Sequence, residues 1–84
     1  MVQNQNTQET QIIQAIAEHL DLLPEDVDRH ALLREELGLG PIELNDLLSD
    51  LSQKFDVSFD PEEVEHLKSI NDLIILIEDN LIDQ

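Results

Sequence analysis

The sequence predicts an all-α domain of four helices, on three observations. At 84 residues the chain has room for one small domain and none for a catalytic domain beside a binding domain. Apolar residues recur at helical spacing in three separate stretches, each wide enough to make one buried face. Pro41 follows Gly40 and Pro61 follows Asp60, and proline just after a capping residue is a helix start, since its missing N–H and fixed φ cost nothing there. The domain is expected over residues 7–82. Residues 1–6, rich in Gln and Asn, have nothing to bury and read as a flexible tail.

The first helix begins near Thr7 and ends around Asp21, with Ile12, Ile13, Ala15, Ile16 and Leu20 on one face. Residues 21–40 mix a Pro24-Glu25-Asp26-Val27 turn, spaced apolar anchors and two glycines, so they form a long connection. A short helix over Ala31 to Leu37 fits within it. The second helix opens at Gly40-Pro41 and carries Leu44, Leu47, Leu48, Leu51 and Phe55 as its stripe. Its other face is acidic: Glu43, Asp46 and Asp50, at i, i+3 and i+7, line up there with Ile42, and no base is seen among them. Asp60-Pro61-Glu62-Glu63 starts a short third helix, with an acidic first turn suited to the helix dipole. Ser69-Ile70-Asn71-Asp72 caps the fourth, which presents Ile70, Leu73, Ile74, Ile77 and Leu81 to the core. Ile75 and Ile82 fall off that stripe and are expected either to be buried on a second side or to make a small self-association patch supporting a weak homodimer.

Twenty acidic residues against four basic ones give a formal charge of -16. Disorder is nevertheless excluded, because Leu, Ile, Val and Phe make up 30 of the 84 residues, well above the ~20% below which a highly charged chain fails to fold. Nucleic acid and membrane surfaces are excluded as partners, since both attract basic clusters; a basic protein surface is the counterpart this charge selects. With no cysteine there are no disulfides or thiolate metal sites, and a reducing cytoplasm is the expected compartment. The N-terminus has neither a basic start nor an apolar run, so no signal peptide is expected. The continuously apolar run Leu73 to Ile77 is five residues long, too short to span a bilayer.

From Ile12 to Ile77 the chain resembles the acyl and peptidyl carrier proteins, without a gap. The likeness rests on Ala15-Ile16 and Leu20, Val27 and Ala31, Glu36-Leu37-Gly38 ahead of the second helix, then Leu47, Leu51 and Phe55-Asp56. Pro61-Glu62-Glu63 and the series Ile70, Ile74, Ile77 continue it. The resemblance implies a four-helix bundle of acyl-carrier-protein type, with a long loop between helices I and II and a short helix III. It also implies that helix II begins with Asp-Ser-Leu, the serine bearing a phosphopantetheine arm that carries acyl groups as thioesters. Here Gly40, Pro41 and Ile42 stand at those positions, and proline has no hydroxyl to esterify. Pro41 also removes one N–H from the helix start that would cradle a phosphate. No cofactor is therefore expected, and phosphopantetheine only if another residue takes the serine's place.

Positions that face the family's acyl cavity hold Arg34 and Asn45. Burying them unpaired is costly, on the order of 1–3 kcal/mol or more, so they are expected to reach water and the cavity to be small or closed. Ser49 and Ser52 lie in the body of helix II, and Ser58 and Ser69 in loops, none with the context of the family serine. His19, His30 and His66 are scattered and make no zinc motif; Glu62, Glu63 and Glu65 do not build a calcium loop. No catalytic constellation emerges, and no enzyme activity is expected. Two readings follow. The first is a carrier-like, non-enzymatic module that docks on a basic surface of a partner, such as a fatty-acid, polyketide or peptide biosynthesis enzyme, through Ile42, Glu43, Asp46, Asp50, Glu62 and Glu63. The second is a working carrier with its arm on an unrecognised residue.

Overall fold

The computed structural model describes residues 7–82; the expected tail at 1–6 lies outside them. Four α-helices occur among the described residues: α1 Thr7–Leu20, α2 Pro41–Phe55, α3 Pro61–Glu65 and α4 Ile70–Ile82. A single turn of 3-10 helix at Pro24–Asp26 occupies the predicted Pro24 turn. The architecture is the all-α bundle expected, with the long connection between α1 and α2 and the short α3.

The core is built from the stripes read in the sequence. Ile12 and Ile16 of α1, Leu47 and Leu51 of α2, and Ile70, Leu73, Ile74 and Ile77 of α4 are all fully buried. Burying a side chain of this kind stabilises the fold by about 1.5–3 kcal/mol, so these eight residues dominate its energetics. Leu44, Phe55 and Leu81 pack at the margin of the same cluster. The chain leaves α1 and α2 through Asp21 (φ 62°) and Asp56 (φ 55°), both left-handed, a conformation aspartate tolerates better than most residues.

Residues Ala31 to Leu37 are not the short helix expected. Leu33–Leu37 form turns, while Ala31 and Leu33 are buried. The reason is tertiary: the Leu33 N–H donates to the Lys68 carbonyl at 2.8 Å and the Ala31 carbonyl accepts from Ile70 N–H at 3.1 Å. An antiparallel bridge between Leu32 and Ser69 results. Arg29 clamps the same loop: its guanidinium pairs with Glu9 of α1 and donates to Asn71 Oδ1 of α4 at 2.9 Å. Residues 29–33 of the loop are thus held against the start of α4. Among the described residues, no helix is long and apolar enough to cross a membrane.

Candidate functional site

Gly40 is the N-cap of α2 in extended backbone and Pro41 occupies the first turn, as the sequence predicts; no side chain caps this end. The junction is on the surface, with Pro41 exposed and Ile42 81% exposed. That exposure is high for a large apolar side chain beginning an otherwise amphipathic helix. Residues 40–48 contain no hydroxyl, so nothing in the first two turns of α2 can accept a phosphodiester. A phosphopantetheine arm does not fit this junction: the esterifiable oxygen is missing, and Pro41 supplies no N–H to a phosphate.

The acidic stripe of α2 divides in two. Glu43 and Asp46 are exposed, Asp46 to 74% of its side chain. Asp50 is not free: its Oδ2 lies 3.2 Å from His19 Nδ1 and 3.8 Å from Lys54 Nζ. Lys54 in turn reaches Glu18 Oε1 at 3.3 Å, and His19 Nε2 lies 3.4 Å from Asp46. The expected stripe without bases is therefore corrected at its C-terminal half, where His19 and Lys54 stitch α1 to α2. Lys54 is four residues beyond Asp50, the spacing at which helical side chains meet, so that partner was legible; His19, 31 residues away, was not.

Glu62 and Glu63 are exposed on α3, but Glu63 also serves the helix start. Asp60 and Glu63 form a reciprocal capping box, the device the Asp60-Pro61 motif announced. The serines have structural roles or plain exposure: Ser52 Oγ donates to the Val57 carbonyl, Ser69 Oγ accepts from Asp72 N–H, and Ser49 and Ser58 are exposed.

Beside the junction runs a groove of ≈ 890 Å³ between the 32–40 loop, α2 and α3. Leu33, Leu39, Leu44, Val64 and Leu67 give it an apolar wall, and Gly40, Pro41 and Ile42 form its lip. Arg34 and Asn45 line it and are exposed, as expected. It is an open groove on the surface, a different feature from the small or closed interior cavity expected. Glu35 and Glu65 stand with Arg34 and Lys68 along this groove, so its formal charge is balanced. Among the described residues, no three His, Asp or Glu side chains converge to hold a metal ion.

A family model described as "Phosphopantetheine attachment site" matches residues 10–77. An "Acyl carrier protein homolog" of Mycoplasmopsis pulmonis (strain UAB CTIP) is 41% identical over 46 residues, 55% of this chain and 63% of that protein. The chain thus spans less than two thirds of that relative. Two proteins named "Acyl carrier protein" match over more of their length. That of Exiguobacterium sibiricum is 29% identical over 65 residues, covering 77% of this chain and 82% of its own. That of Wolinella succinogenes is 29% identical over 69 residues, covering 82% and 91%.

Proposed function

The chain belongs to the phosphopantetheine-attachment family of carrier proteins, and from that premise we propose that it acts as a non-enzymatic interaction module and not as a covalent carrier. One observation carries this reading: Pro41 stands at the helix start where the family's serine is expected, and it has no oxygen to modify. The substitution keeps good helix-start chemistry, so the architecture survives while the attachment chemistry is lost. What remains at that end is an exposed apolar residue, Ile42, flanked by the exposed carboxylates Glu43 and Asp46. An apolar anchor beside two exposed carboxylates suits a partner patch of opposite charge, which steers encounter and fixes orientation. The partner is a basic surface, on an enzyme that handles acyl or peptidyl carriers in the cytoplasm. Asp50 takes little part, since it is half-buried beside His19 and Lys54; Glu62 extends the surface onto α3.

The test is the intact mass after incubation with coenzyme A and a broad-specificity phosphopantetheinyl transferase. No mass gain is expected. An adduct on any residue, with Ser49 the exposed hydroxyl of α2 and the first to map, overturns this reading in favour of a working carrier.

A further inference from the structure

α4 carries a buried apolar stripe and, on its far side, a mixed acidic and apolar one. Ile70, Leu73, Ile74 and Ile77 occupy i, i+3, i+4 and i+7 and are fully buried. Asp72, Ile75, Leu76 and Asp79 repeat that spacing two residues later, a rotation of about 200° that sets them on the opposite side of the helix. The second stripe meets α3 and the α3–α4 connection around an open depression of ≈ 280 Å³. Leu67, Ile75 and Leu76 form its apolar floor, and Glu63, Asp72 and Asp79 surround it, with His66 at one edge. Ile75 is 45% exposed. No Lys or Arg lines the depression, although the groove beside Pro41 has both.

We propose that this depression is a second docking surface, distinct from the start of α2, and that its occupant is a cationic amphipathic segment of another protein. The segment sets one large apolar side chain against Ile75 and Leu76 and places Lys or Arg over the carboxylates on either side. Four features select that occupant. An apolar face turned outward on the helix opposite its buried stripe has no work within the fold. The ring of three carboxylates around it rewards cations and repels anionic lipid. A second copy of the chain brings three further carboxylates and a formal charge of -16 to the same contact, so the weak homodimer expected from Ile75 is disfavoured; the side chain of Ile82, its other expected member, lies outside those described. At ≈ 280 Å³ the depression is also just below the ≈ 300–1,000 Å³ of small-molecule sites, and suits a side-chain anchor in a helix-in-groove contact.

The test titrates the isotope-labelled full chain with two synthetic helix-forming peptides of equal positive charge, one patterned Leu/Lys and one Ser/Lys, followed by NMR. The Leu/Lys peptide is expected to bind about tenfold more tightly, the gain from covering one isoleucine-sized contact, with shifts centred on Leu67, Ile75, Leu76 and Asp79. Ile75→Asn abolishes the difference between the peptides, whereas Glu43→Lys with Asp46→Lys leaves it intact, which separates this surface from the α2 docking reading. Asp79 is exposed and appears in no cap, so Asp79→Lys gives a second variant that weakens both peptides should Ile75→Asn fold poorly. Equal binding of the two peptides, shifts centred on Ile42 and Leu44, or concentration-dependent shifts at Ile75 without peptide each overturn the proposal, the last in favour of a second copy.

Discussion

Two helices of this protein begin with proline in the first turn, and they begin differently. At α3, Asp60 and Glu63 close a capping box around Pro61, satisfying both the free N–H groups and the positive end of the helix dipole. This local chemistry supports a helix of only five residues, too short to stand on propensity alone. At α2, Gly40 contributes no side-chain cap, although the helix is 15 residues long and anchored by three buried leucines. A helix held by packing can dispense with a cap, so its start is free to be used for something else. The difference teaches that a well-anchored helix end tolerates Gly40-Pro41 without a side-chain cap, whereas the short α3 draws on its cap at Asp60.

The comparison breaks most sharply under the double change Gly40→Asp with Pro41→Ser, which restores the family's attachment motif. Gly40 already has φ -78°, and a Cβ there meets only the mobile carboxylate end of Glu43, at 2.9 Å. The fold is expected to tolerate the change, and phosphopantetheinyl transferase with coenzyme A to convert a chain that gains no mass into one that does. A folded but unmodified variant, by mass spectrometry and circular dichroism, would show that the rest of α2 has lost carrier recognition as well.

On that restored background, Glu43→Lys with Asp46→Lys is expected to lower the rate of modification about tenfold at low salt, the penalty narrowing as ionic strength rises and screening shortens the reach of the field. A rate indifferent to both charge and salt would mean that the exposed half of the stripe is merely solvated. The helix starts themselves differ by less. Asp60→Ala removes a cap and is expected to cost about 1 kcal/mol, a fall in Tm of ~4–8 °C for a domain of this size. Gly40→Ser adds a cap to a helix already held by its core and should raise stability by only a few tenths of a kcal/mol. Thermal melts of the two variants side by side check the ranking; equal and opposite shifts would show that α2 depends on its start as much as α3 does.

Much of this was readable from the chain. The three stripes that became the core follow from a helical period that acts within one element, and the caps at Asp60 and Ser69 from contacts within four residues. Sequence-local physics also settles what Pro41 lacks, because no folding can give proline a hydroxyl. The likeness to the carriers placed that residue at the start of α2, where the helix does begin.

What the sequence by itself determined is therefore the set of helices, their starts and their buried faces, together with the absence of a hydroxyl at position 41; each depends on neighbours within a turn or two. Only the tertiary structure decided that residues 31–37 form turns, since that rests on hydrogen bonds to Lys68 and Ile70, more than 30 positions on. It alone brought His19 against Asp46 and Asp50 and so tied the C-terminal half of the α2 stripe to α1. It alone opened the groove beside Pro41 and gathered α3 and α4 around Ile75. Periodicity says which way a residue faces along its own helix; which distant residue it meets there is set by how the helices pack.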